Sequence, residues 1–99
     1  MPPVALLARI EAKPEHAEAV AELLLGALPL AQQEVETRTW YAFRESTTVF
    51  GIFDTFDDEQ GRQAHLQGPI AAALMEAAPR LLAAPPDIRR LDLLAAALP

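Results

Sequence analysis

The side chain in this sequence best suited to chemistry is His65, because an imidazole with an ordinary pKa near ~6.5 can move protons at neutral pH. It stands in Ala64-His65-Leu66, just before a Gly68-Pro69 pair. The plain alternative has it packed beside that break, with a ring nitrogen bonded to backbone. The other histidine, His16, lies on a helix flank between Glu15 and Glu18 and reads as a solvated surface residue. The two are far apart, and no close spacing of His or carboxylates resembles a ligand set, so no metal is expected.

Every aromatic residue falls in one stretch: Trp40, Tyr41, Phe43, Phe50, Phe53 and Phe56. Alternation along a strand places Tyr41 and Phe43 on one face, with Trp40 and Arg44 on the other. A cavity lined by these rings would hold a flat apolar ligand, oriented by Tyr41, Arg44, Asp54 or His65. Ordinary core packing and a subunit interface account for the same rings without any ligand.

Other chemistries lack their residues. There is no cysteine, which removes disulfides, thiolate metal sites and Cys nucleophiles. Ser46 is the only serine and sits in a turn with no nucleophile motif around it. Gly26, Gly51, Gly61 and Gly68 are scattered singly, so no glycine-rich loop exists to cradle a phosphate, and no cofactor is expected. A net charge of -6 argues against nucleic acid as a partner. No apolar run approaches the ~20 residues of a membrane span, and the opening Met-Pro-Pro lacks a basic leader, so the expected location is cytoplasmic.

The elements that must position these residues follow from periodicity. A first strand over 4–12 is apolar at both parities, as for a strand buried on two sides. A helix from Pro14 carries a stripe of Ala17, Val20, Ala21, Leu24, Leu28 and Ala31, and Pro29 is expected to kink or end it near residues 25–28. Residues 37–44 and 48–56, rich in Thr, Val and aromatics, form a hairpin. Asp57-Asp58 caps a short helix to about Gln67, and Pro69 starts another whose stripe is Ile70, Leu74, Ala77 and Leu81, with a kink expected at Pro79. A last strand spans 88–95.

The order is β-α-β-β-α-β: one α+β domain over 1–99, ferredoxin-like, with helices on one face of a four-stranded antiparallel sheet. Leu6 beside Leu7, and Phe50 near Phe53, make both faces of that sheet apolar. The uncovered face is therefore expected to pair with a second copy in a homodimer.

The string Phe50-Gly-Ile-Phe-Asp-Thr-Phe-Asp-Asp-Glu, with Ala64-His65-Leu66 and Gly68-Pro69-Ile70, resembles the antibiotic biosynthesis monooxygenase family. So do the opening strand with Lys13-Pro14-Glu15 and the closing Pro86-Asp-Ile-Arg-Arg-Leu-Asp-Leu-Leu. The resemblance implies a dimeric α+β barrel and, in some members, cofactor-independent oxidation of phenols or quinols to quinones. Where haem-degrading relatives have an Asn, a Trp and an axial His, this sequence has Ala8, Phe56 and Met75, which argues against haem chemistry. Where polyketide-oxidising relatives have an Asn and a Trp, it has Ile52 and Phe56.

Two readings of function result. In the first the protein is a monooxygenase acting on a small aromatic substrate. His65 is then the base, Arg44 an anion partner, Trp40 and Phe56 are walls, and the ligand pocket comprises Trp40, Tyr41, Phe43, Arg44, Phe53, Phe56 and Met75. In the second the same fold is a noncatalytic dimer that binds a small ligand or acts in stress.

Overall fold

The structure is a computed structural model that describes residues 3–99. Strand β1 (Val4–Glu11) leads through a 3-10 turn (Pro14–His16) into helix α1 (Ala17–Gln33). Strands β2 (Thr37–Arg44) and β3 (Val49–Phe56) form the hairpin. Helices α2 (Glu59–Leu66) and α3 (Pro69–Leu81) and strand β4 (Asp87–Asp92) complete the chain. The sheet is antiparallel throughout, in the order β2-β3-β1-β4. The chain is thus the α+β, ferredoxin-like arrangement expected from its sequence.

Parity decides what lies inside. Ala8 and Ile10 of β1, with Phe50 and Ile52 of β3, face the helices and pack on Val20, Leu24, Ile70 and Leu74. The opposite parity carries Leu7, Phe53, Tyr41 and Phe43 on the uncovered face, where Tyr41 is 57% exposed and Phe43 40% exposed. Gly51 is required there. A β-carbon on it would collide with the ring of Phe43 and stand 2.9 Å from the Ala8 carbonyl, so the missing side chain lets that ring lie across β3.

Several boundaries differ from the sequence reading. Pro29 neither ends nor interrupts α1, and Pro79 leaves α3 continuous to Leu81. Both prolines are exposed, and the residues four positions earlier, Leu25 and Met75, are exposed as well. The carbonyls deprived of a helical N–H therefore face water, while buried Ala27, Ala31 and Ala77 hold each helix on the core. Leu28, expected in the buried stripe, is partly exposed, and Ala27 takes its place. Strand β1 ends at Glu11, leaving Ala12 in a single bridge to Leu82, and β3 starts at Val49. His16 closes the 3-10 turn ahead of α1.

Strand β4 stops at Asp92, short of residue 95, because its partner runs out. Asp92 pairs with Val4, one more bond joins Leu93 N–H to the Pro3 carbonyl at 2.8 Å, and Pro3 has no N–H to extend the ladder.

Helix α2 is fixed at both ends of its buried face. Asp58 caps it by accepting the Gly61 N–H at 2.9 Å. Arg62, itself buried, donates to the Ala5 and Leu91 carbonyls at 3.1 and 3.2 Å, so α2 is tied to the β1–β4 seam. His65 lies three residues further on, on the same helix face as Arg62.

Candidate functional site

Asp54 occupies an inward parity position of β3, between Ile52 and Phe56, and is 1% exposed. A carboxylate there must find a cation or become neutral. Helix α2 presents His65, 8% exposed, whose Nε2 stands 2.9 Å from Asp54 Oδ2. That is ion-pair distance, although the N–H does not point along the contact and neither Asp54 oxygen has an aligned hydrogen bond. The other ring nitrogen, Nδ1, is 2.7 Å from Glu34 Oε1. The ring also packs against Phe56, at 5.4 Å between centroids.

Glu34 reaches this position because α1 ends on it. Its N–H still bonds the Ala31 carbonyl at 3.1 Å, but its backbone is already extended, and the chain turns into β2. Thr37, at the start of β2, donates its hydroxyl to the same Oε1 at 2.7 Å. The result is a carboxylate–imidazole–carboxylate cluster drawn from the end of α1, from β3 and from α2. Glu34 Oε2 and both Asp54 oxygens are buried without a protein hydrogen bond.

Burial works against charge on His65, but the close Asp54 carboxylate, then the hydrogen-bonded Glu34 carboxylate, outweigh it and raise its pKa to about 9. At neutral pH the ring is therefore an imidazolium. The ring is not bonded to backbone, the plain alternative read from the sequence: both nitrogens face carboxylates. Burial raises the pKa of Asp54, with Glu34 adding to the effect and His65 opposing it.

A pH dependence of stability follows. His65 has its folded pKa raised, so its contribution is fully present below its ordinary value of 6.5 and is lost as pH rises through about 9. Asp54 acts in the same sense, because its charged form is the one that burial penalises. Carrying His65 from 6.5 to about 9 corresponds to roughly 3 kcal/mol at most, nearer 2 once solvent reaching the Glu34 side is counted. The pair titrates together, so the two contributions are not added. Urea unfolding should give a midpoint that falls between pH 6.5 and 9.5; a midpoint that rises over that window would contradict the assignment.

Asp54 and His65 line a cavity of about 40 Å³ beneath α3, walled by Leu6, Ala8, Ile52, Met75 and Ile88 among others. Met75 is 55% exposed and forms part of its outer wall. Glu34 lines a different space, a surface cleft of about 290 Å³ shared with Gln32, Thr37, Arg38 and Trp40.

The other residues singled out from sequence do not converge on His65. Phe56 touches its ring and Met75 shares its cavity. Trp40 and Arg44 border a groove of about 450 Å³ between α1 and β2. Arg44 bonds Glu18 at 2.8 Å and the Thr47 carbonyl at 2.9 Å and lies over the Phe50 ring, so its guanidinium is engaged away from the cluster. Tyr41, Phe43 and Phe53 have their side chains on the uncovered sheet face. Glu34 was not singled out at all. It lies 31 residues from His65, and only the fold joins them. Asp54 did carry a signal, as the lone carboxylate among Phe50, Ile52 and Phe56 at the inward parity.

Among the described residues no helix is long and apolar enough to cross a membrane, and no group of His, Cys, Asp and Glu forms a metal site. The fold closely matches solved structures. The NE2512 protein of unknown function from Nitrosomonas europaea is 52% identical, with 100% of this chain and 96% of that chain covered and a TM-score of 0.97. Rv0793 from Mycobacterium tuberculosis is 21% identical over 97% of this chain and 99% of that one, at a TM-score of 0.84. A structure named antibiotic biosynthesis monooxygenase is 15% identical over 93% and 99%, at a TM-score of 0.80. No protein-family model matches the chain. No curated protein matches it either.

Proposed function

The chain belongs to the family of the Nitrosomonas europaea NE2512 protein, and from that premise, with the fold it shares with an antibiotic biosynthesis monooxygenase, we propose that it is a cofactor-independent monooxygenase of small phenols. One observation carries the reading: a desolvated carboxylate, Asp54, borders an apolar cavity beside a fixed imidazolium. Burial raises the proton affinity of Asp54, which suits it to take a proton from a phenol. The positive His65 then faces the phenolate and holds the negative charge that has moved onto the substrate. His65 thus enters the mechanism as the fixed countercharge, with Asp54 as the base.

The balance needs no cofactor. An electron-rich phenolate reduces O2, one oxygen atom bonds to the para carbon, and the other leaves as water with the hydroxyl and ring hydrogens. Phenol plus O2 thus gives quinone plus water. The apolar wall excludes solvent from the anion. At rest the cavity is about one water wide, so an aromatic ring enters by displacing Met75, whose unbranched thioether chain adapts readily.

A specific observation also favours the noncatalytic reading: both nitrogens of His65 are already held, as in a structural ion-pair cluster. Oxygen uptake with a panel of fused-ring phenols and quinols separates the two. The enzymatic reading expects uptake with one quinone formed per O2 consumed, whereas ligand binding with no uptake would sink it.

We infer further that the uncovered sheet face pairs with a second copy. Its support is the apolar quartet Leu7, Tyr41, Phe43 and Phe53, which a lone chain leaves facing water. Sedimentation over a dilution series should report a dimer at micromolar concentration, and a well-folded monomer throughout would refute this.

A further inference from the structure

The helices do not cover the whole inner face of the sheet. Trp40, Ala42 and Arg44 of β2 stand opposite Asp54, Ile52 and Phe50 of β3 and so share their helix-facing side. Yet Ala42 is exposed, while Ile52 and Phe50 are buried. Over Ala42 lies the groove of about 450 Å³ between α1 and β2. Its floor is low because an alanine stands between two long side chains, Trp40 and Arg44. Leu25 and Leu28, 74% and 46% exposed, form its α1 wall. At about 3.3 Å per strand residue, the step from Trp40 to Arg44 makes it about 13 Å long. The two ends differ chemically. Trp40 packs on the core at one end. At the other, the Arg44 guanidinium lies 4.8 Å over the Phe50 ring. Its Nη2 donates to Glu18 and to the Thr47 carbonyl and its Nε to the Ser46 carbonyl, which leaves Nη1 without a protein acceptor among the described residues. No acidic side chain lines the groove among the described residues. Glu18 itself is 80% exposed, so its ion pair with Arg44 is screened and weak.

We propose that this groove is a second binding site, which takes a monocarboxylate with an unbranched alkyl chain. The chain lies over Ala42 between Leu28 and Trp40, and the carboxylate accepts from Arg44 Nη1. Its volume falls within the roughly 300–1,000 Å³ of small-molecule sites. Ala21, Leu24, Leu25, Leu28 and Ala42 along its length offer no group to orient a ring substituent, which suits an alkyl chain. A guanidinium at one end of an apolar trough favours a charged acceptor over a neutral one, because the bond to a carboxylate is charge-assisted. The groove shares no lining residue with the cavity of Asp54 and His65, so the site stands independently of the monooxygenase reading.

Trp40 is the only tryptophan, so its fluorescence reports on the groove directly. Decanoate, added below the concentration at which it forms micelles, should change the emission saturably. Decanol, with the same chain and no charge, should bind roughly tenfold more weakly or worse. Arg44→Gln should abolish that preference and leave the two ligands alike. Ala42→Phe fills the floor at an exposed position and should remove decanoate binding. Decanol binding as tightly as decanoate to the wild type, or a preference for decanoate kept in Arg44→Gln, would overturn the proposal. So would saturable decanoate binding retained in Ala42→Phe, or no saturable response in the wild type. Emission that shifts on dilution of the protein alone and ignores decanoate would place a second copy in the groove, and would overturn it equally.

Discussion

Replacing His65 with Ala is expected to cost on the order of 3–5 kcal/mol of folding stability at pH 7, the range for removing one partner of a buried ion pair. The reason is what remains. Asp54 and Glu34 would share a desolvated site without the cation that lies between them, and the Phe56 ring would lose its neighbour. A domain of this size has only about 5–15 kcal/mol in total, and each kcal/mol moves Tm by about 4–8 °C. The melting temperature should therefore fall by roughly 12 °C or more. The loss should shrink as the pH falls, because burial already raises the pKa of Asp54 and favours its neutral form. Replacing Asp54 and His65 together with Leu should cost less than His65→Ala alone, since no unpaired charge is left at Asp54. A Tm within a few degrees of wild type for His65→Ala would mean that the cluster is not the charged site described.

The second large effect is on turnover. Asp54→Asn keeps the shape of the side chain but removes its proton affinity, and kcat should drop about 10²- to 10⁴-fold, the usual contribution of a positioned base. KM should change little, because the apolar cavity walls are untouched. The variant should still fold, since Glu34 continues to hold His65 at Nδ1. Oxygen uptake within threefold of wild type would show that Asp54 is not the base.

Much of the fold was legible in the sequence, because period-two alternation and helical stripes record burial directly. Trp40 and Arg44 were separated correctly from Tyr41 and Phe43 on that basis alone. The expected end of α1 near Pro29 failed because the exposure of Pro29, which lets water satisfy the freed carbonyl, is a tertiary property. The end of β4 depended on where its partner strand began, which periodicity within β4 does not encode. At the site, His65 was visible by residue type. Asp54 was visible by parity but was not given its weight. Glu34, just past the end of α1 and 31 residues from His65, carried no signal, because only the fold brings it to the ring. The aromatics divide between two places, because the same hairpin supplies two faces: Trp40, Tyr41 and Phe43 border the groove between α1 and β2, and Phe56 lies against His65.

NMR titration of the His65 ring nitrogens and protons measures directly whether a buried imidazolium is held between Glu34 and Asp54. The expected result is a doubly protonated ring at pH 7 that loses its proton with a pKa of about 9, far above that of an ordinary histidine. In Asp54→Asn this value should fall, because one of the two carboxylates that favour the charged form is gone. A neutral ring at pH 7 in the wild type, titrating at or below 6.5, would contradict the charged cluster and the proposals built on it.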